Sequence, residues 1–185
     1  LIGPSLCQKD PTVIDLPNKY QNPSKEHWFG TDNLGRDTFT RIVHGARVSL
    51  MMSVVSVSVG SSIGVILGVL AGYYGGRIDA VISRLIDLLL AFPGLLLAIA
   101  VVAVLGSGII NTMAAIAFYS IPYVARLVRG LVISIKQTEF IQACRVVGAS
   151  DFRIIAFHII PNTMGQIIID VTLSLGSAIL TASSL

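Results

Sequence analysis

Charged side chains are scarce in this chain. Asp, Glu, Lys and Arg make up 12% of its 185 residues, about half the rough one-quarter share of soluble domains. With 54% hydrophobic residues and a mean hydropathy of +0.80, it is built for lipid. The formal net charge is only +3 and no basic cluster is present, so nucleic acid is not an expected partner. Cysteine is limited to Cys7 and Cys144, far apart in sequence, which argues against a disulfide framework or a Cys-rich metal site. His27, His44 and His158 are scattered, and neither H-E-x-x-H nor another metal spacing occurs. The glycine-lysine phosphate loop is also missing, so no nucleotide cradle or resident cofactor is expected in this chain. No charged n-region with a cleavage site is visible. With Leu1 first and Leu185 inside an apolar run, the sequence reads as an interior piece of a longer polypeptide.

What the chain does have is long apolar runs. Residues 1–47 are the most polar part, with Pro4, Pro11, Pro17 and Pro23 discouraging helix. They form an expected external segment, extended over 1–25. Over 32–47, Leu34, Phe39, Ile42 and Val43 could share one face of a short amphipathic helix lying in the interface. Trp28 is foremost an aromatic interface anchor. Val48 to Gly76 then carries no charge; as a helix it would run about 40 Å, more than the hydrocarbon core. Within it Ser56, Gly60, Gly64, Gly68 and Gly72 fall every fourth residue, a ridge where another helix backbone can approach closely. Arg77, Asp79, Arg84 and Asp87 form a charged hinge, and Arg84 and Asp87 are spaced to pair on a helix.

Leu88 to Ala125 is uncharged and, at about 57 Å as one helix, too long for a single crossing. Gly106, Gly108 and Asn111 divide it, and Pro93 and Pro122 are expected to kink the two spans. Thr163 to Leu185 begins another. The expectation is therefore an all-α, polytopic transmembrane bundle, its membrane domain covering 48–185, with four spans at about 48–74, 82–105, 109–130 and 163–185. Asp170 is the one ionisable residue well inside a span. A carboxylate there is costly unless it meets water or a polar partner. It either lines a solute path or hydrogen-bonds a helix Ser or Thr.

Gln137 to Asn162 is a polar island between the apolar runs. Its apolar positions recur at three- and four-residue steps, so each half reads as a short amphipathic helix. Gly148 can turn left-handed between the halves, Ser150 is a plausible N-cap with Asp151 in the first turn, and Pro161 is expected to close the second half. If spans alternate, the island shares a side with Arg77, Arg84, Arg126, Arg129, Lys136, Arg145 and Arg153, seven cations against Arg36, Arg41 and Arg47 near a membrane end on the other, where Lys9, Lys19 and Lys25 also lie farther from the membrane. Lys/Arg excess marks the cytoplasm, which puts 137–161 inside and 1–47 outside.

The pattern Gln142-Ala143-Cys144, Gly148, then His158-Ile159-Ile160-Pro161 resembles the EAA motif of ABC importer permeases. Departures are Gln142 for the usual Glu, Cys144 for the second Ala, and His158 and Ile160 where Ile and Leu are commoner. His27 to Asp32, Gly35-Arg36-Asp37, Gly45-Ala46-Arg47, Ala91-Phe92-Pro93 and Pro122-Tyr123 resemble the dipeptide, oligopeptide and nickel branch, in the second of its two permeases. The resemblance implies a type I importer fold with six spans in all, one before Leu1 and one after Leu185. It makes 137–161 coupling helices that dock on a cytoplasmic ATPase, with Gln142, Ala143, Cys144, Arg145, Gly148, Ala149, Ser150, Asp151, His158 and Pro161 at or near the contact. Implied partners are a homologous permease, two ATP-binding subunits that carry ATP and Mg, an external or periplasmic solute-binding protein and the bilayer of a bacterial or archaeal inner membrane. Small peptides, glutathione-like ones included, are the expected solutes; nickel or a metal chelate is the alternative within the family. Gln142-Ala143-Cys144-Arg145 also matches most of a caspase-type signature, a coincidence in a membrane chain. A membrane enzyme would need a cluster of reactive groups, and none is found. A passive channel or structural subunit is a further alternative, but it has no need of an ATPase-docking helix pair.

Overall fold

The first long helix starts where a carboxylate can cap it. In the computed structural model, which describes residues 10–184, Asp37 Oδ2 accepts from the backbone N–H and the hydroxyl of Thr40 at 2.8 and 2.6 Å. From there α1 runs unbroken over Thr38–Tyr74. The separate interfacial helix expected over 32–47, distinct from a span at 48–74, is therefore corrected to one helix. Nothing between Thr38 and Tyr74 is a proline, and the isolated Gly45 is too weak a breaker to interrupt it. Readings that fall on residues 1–9, Cys7 and Pro4 among them, and on Leu185 lie outside the described residues.

The chain divides into two compact units, Leu1–Met51 and Met52–Leu185. In the first, residues 10–37 are turns and extended chain with a single 3-10 turn at Leu16–Asn18. The chain folds tightly around two aspartates. Asp32 Oδ1 accepts from the N–H groups of Leu34 and Arg36 at 2.8 and 2.9 Å, and Oδ2 pairs with Arg36 Nε at 2.8 Å and with Arg41. Burial raises the Asp32 carboxyl, but these backbone donors and the Arg36 guanidinium outweigh it and bring it down to about 2. Asp37 is likewise held below its ordinary value: burial opposes, while Thr40 and the His27 ring, 2.9 Å away, stabilise the anion. Gly35 is left-handed (φ 75°), and a Cβ there would sit 1.7 Å from the Asp15 carbonyl oxygen. Trp28 and Phe29 both pack on Phe39, at centroid distances of 5.0 and 5.4 Å.

The second unit is helical throughout. After α1 come α2 (Gly76–Leu90), α3 (Gly94–Leu105), α4 (Ile109–Lys136), α5 (Glu139–Val146), a single turn α6 (Asp151–Ile154), a π-helical turn Ile155–Ile159, and α7 (Ile160–Ser184). The charged hinge at 77–87 is itself helical, and the span expected at 82–105 is instead two helices bent by 88° at Ala91–Pro93. Proline explains the break, since its ring restricts the preceding residue and removes a donor. Pro122, by contrast, lies inside α4, which continues through it and on past 130 to Lys136. The expected Arg84–Asp87 pair is also replaced: Asp87 pairs with Arg126, and Asp79 is gripped by Arg129 at 2.5 and 2.7 Å.

Three helices, Thr38–Tyr74, Ile109–Lys136 and Asp151–Ser184, are long and apolar enough to cross a membrane, and the bent pair makes a fourth candidate. The register of α1 on α4 decides in favour of four. A Cβ on Gly60 would lie 2.6 Å from the Ala117 carbonyl oxygen, on Gly64 3.0 Å from that of Ile121, on Gly68 2.7 Å from that of Ala125, and on Gly72 2.8 Å from that of Arg129. Each four-residue step on α1 meets a four-residue step in the same direction on α4, so the two helices are parallel. Parallel neighbours need the intervening chain to return to the starting level. The α2–α3 pair makes that return, with Asp79 beside Arg129, then Asp87 beside Arg126, then Gly94 beside Tyr119.

Candidate functional site

The α5–α6 knuckle is built by backbone chemistry at a helix end. Gly148 adopts φ 84°, its N–H donates to Arg145 O at 2.9 Å, and Ala149 N–H donates to Cys144 O at 3.0 Å. This is a Schellman closure, which needs a left-handed residue and brings its flanking apolar positions together. Cys144 and Ala149, those flanking positions, both pack against one buried cluster that includes Ile141, Ile154 and Ile159. The next helix is capped in turn, Ser150 Oγ accepting from Arg153 N–H at 3.4 Å.

Pro161 does not close the second half as the sequence suggested. It occupies the second position of α7, and helical backbone runs from Asp151 to Ser184. The π turn at Ile155–Ile159 just upstream, whose last amide bond runs from Ile160 N–H to Ile155 O, shifts the carbonyl pattern where the proline ring would otherwise clash. The knuckle thus continues directly into the last described span, whose beginning moves from 163 back to 160. His158 is half-buried in that turn, its carbonyl accepting from Asn162 Nδ2 at 2.6 Å, and Pro161 is exposed.

Tyr73 ties the knuckle to the end of α1. It is 3% exposed. Its hydroxyl donates to Asp151 Oδ1 at 2.5 Å, Lys136 Nζ donates to its carbonyl, and the Arg145 guanidinium carbon lies 5.4 Å from its ring centroid, within cation–π range. Three elements, α1, α4 and the knuckle, therefore meet on one residue. The outer face is the reverse. Gln142, Ala143, Arg145, Ser150 and Asp151 are exposed, and between them Val146 and Val147 are each 87% exposed and Phe152 77%. Large apolar groups left open among polar ones are the kind of feature that contact surfaces use.

Of the residues singled out in the sequence, Cys144 and Ala149 point inward and the remaining knuckle positions lie at or near its surface. Val147 and Phe152 belong to the apolar stripe that the sequence shows, and Lys136 enters there only as a charge; Tyr73 and Val146 do not stand out in it. The pair Val146-Val147 directly before the glycine breaks the helical stripe and was a readable signal; Tyr73 had none. Gly60, Gly64, Gly68 and Gly72 sit along the α1–α4 seam, above which Ser56 is buried with its hydroxyl unpaired. Asp170 is remote from the knuckle, on α7, and lines a cleft of about 250 Å³ with residues of α1 and α4. Among the described residues, no group of three His, Cys, Asp or Glu could hold a metal ion.

A bundle of helices long and apolar enough to cross a membrane, with a capped, outward-facing knuckle in the loop between its last two, defines a polytopic membrane protein. More specifically, the chain belongs to the family described as binding-protein-dependent transport system inner membrane component, whose model matches residues 64–185, so it is a multi-pass inner membrane protein of the ABC importer permease class. It is 48% identical, over all of its length and 61% of the relative's, to the dipeptide transport system permease protein DppC of Alkalihalophilus pseudofirmus. It is 52% identical over 172 residues, 93% of this chain and 57% of the relative, to the glutathione transport system permease protein GsiD of Escherichia coli. The chain thus spans about three-fifths of the length of these relatives.

Proposed function

We propose that the chain is a permease subunit of an ATP-driven, binding-protein-dependent importer of small peptides in a bacterial or archaeal inner membrane. It forms the solute path with a homologous permease, and the two rest on two ATP-binding subunits, which hold ATP and Mg and do the hydrolysis. A solute-binding protein delivers peptide on the outside, where residues 1–47 lie; the knuckle, 137–161, faces the cytoplasm with seven of the 13 lysines and arginines, against three near a membrane end outside. The observation that carries this reading is the two-faced knuckle: isoleucines and Tyr73 anchor it inward, while Val146, Val147 and Phe152 are open outward.

Mechanically, closure of the ATPase pair presses on that open face. The Schellman turn keeps α5 and α6 at one angle, so the push is not lost in bending. It passes along the uninterrupted helical path from Asp151 into α7, through Tyr73 into α1, and through Lys136 into α4. Rocking of these helices opens the path alternately to each side. The dipeptide and glutathione permeases named above favour peptides as solute, by similarity.

The test is reconstitution of the complete complex in vesicles. Solute-loaded binding protein is expected to stimulate ATP hydrolysis and peptide uptake together, and the ATPase is expected to co-purify with the chain. Uptake by a preparation free of any ATPase would overturn the reading in favour of a passive channel.

A further inference from the structure

Asp170 occupies a prepared place. It stands half-buried on α7 in a cleft shared with Tyr119, Ser120 and Tyr123 of α4 and Ser174 and Ser177 of α7. Among the described residues its carboxylate has no hydrogen bond and no ion pair, in a span where an unmet carboxylate is costly. The hydroxyls around it are also held back. Elsewhere on α7, Thr172, Thr181, Ser183 and Ser184 each donate to the carbonyl four residues earlier, at 2.7 to 3.0 Å. That is the usual way a helix hydroxyl is satisfied in lipid. Ser174 and Ser177 make no such bond, nor does Tyr123, so one carboxylate and three residues with unengaged hydroxyls line the same cleft.

At about 250 Å³ the cleft is smaller than the roughly 300 Å³ at which whole-ligand pockets begin. That is room for the end of a peptide. A carboxylate that shares a cleft with free hydroxyls suits a cation bearing several N–H donors, which describes a primary ammonium.

We propose that this cleft is a binding station for the α-ammonium group of a peptide in transit, with Asp170 as its counter-ion and the Tyr123, Ser174 and Ser177 hydroxyls as further acceptors. The proposal rests on the peptide-importer reading above. During transport the ammonium exchanges water for these acceptors, so a peptide crosses without stripping its terminal charge, and the helices that rock under the ATPases are the ones that make and break the station.

The experiment uses the complete wild-type complex in vesicles and needs no ATP. Dicyclohexylcarbodiimide, which modifies carboxyls in apolar surroundings, is applied and the adduct at Asp170 is followed by mass spectrometry. Dialanine at twice its dissociation constant is expected to slow the reaction about threefold by occupancy, while N-acetyl-dialanine, lacking the ammonium, leaves it unchanged. Equal protection by both peptides, no protection by either, or an Asp170 that never reacts because a side chain of the second permease fills the cleft would each overturn the proposal. As a second measurement, Asp170→Asn is expected to lower dialanine uptake about tenfold or more, the size of one lost hydrogen bond to a charged group, while loaded binding protein still stimulates hydrolysis. Uptake equal to wild type would overturn the station. Wild-type complex without stimulated hydrolysis would instead sink the importer reading, leaving the labelling result to be judged by itself.

Discussion

The seam between α1 and α4 and the knuckle at α5–α6 solve opposite problems. At the seam, function depends on atoms that are missing: the added Cβ of Gly60, Gly64, Gly68 or Gly72 would fall within 3.0 Å of a facing carbonyl oxygen. Lipid gives no hydrophobic reason for two apolar helices to associate, so close backbone approach and its dispersion contacts supply the attraction. At the knuckle the glycine has open space all round, with nothing within 4 Å of a Cβ on Gly148. There the requirement is the φ of 84° alone. The same residue type is thus needed in one place for its size and in the other for its handedness, and substitutions separate the two.

The largest effect is expected at the seam. Gly68→Val would drive a branched side chain into the Ala125 carbonyl, 2.7 Å from the first added carbon, and is expected to destabilise by about 3 kcal/mol or more. A lower melting temperature in detergent and a loss of folded protein from membranes would report it, whereas Gly165→Ala, with open space around it, should melt with or slightly above wild type. A Gly68→Val chain that melts like wild type would dissolve the comparison.

Gly148→Val comes next. Left-handed backbone costs a branched residue about 1–2 kcal/mol, without any clash, so assembly should persist while hydrolysis ceases to be stimulated by loaded binding protein. Normal stimulation in this variant would remove handedness from the account. Smaller again is Tyr73→Phe, which keeps the ring over which Arg145 sits but deletes the bond to Asp151. A loss of about 1 kcal/mol is expected, and a double-mutant cycle with Asp151→Ala should recover most of it as coupling. Smallest in stability is Val146→Ser, within about 0.5 kcal/mol of wild type because the side chain touches little of its own chain, yet the amount of ATPase that co-purifies should fall. Unchanged co-purification would mean that the open face is not the docking face.

Much of this was readable in advance. The membrane-crossing character follows from runs in which no charge interrupts the apolar residues, and the seam follows from small residues at every fourth position, because that step returns to one face of a helix. Gly148, Ser150 and Asp151 announced the knuckle through capping preferences that act within a few residues. What could not be read involves partners distant in the chain. Tyr73 meets Asp151 across 78 positions; nothing near Tyr73 distinguishes it from Tyr74, which is 48% exposed. Likewise the spacing pairs Asp87 with the nearby Arg84, but a cross-helix cation, Arg126, reaches it in the folded chain. Pro161 reads as a helix end because the rule for proline is local, and a π turn upstream suspends that rule.

The sequence by itself determined which stretches seek lipid, which faces are small enough to pack and where the chain must turn, since each of these depends on the chemistry of residues within one or two helical turns. Only the tertiary structure decided that α1 and α4 run parallel, that the chain between them bends by 88° on its return, and that Tyr73 and Asp170 stand where they do. Those outcomes depend on which surfaces meet, and a contact between distant segments is a property of their joint packing, which neither segment's composition specifies.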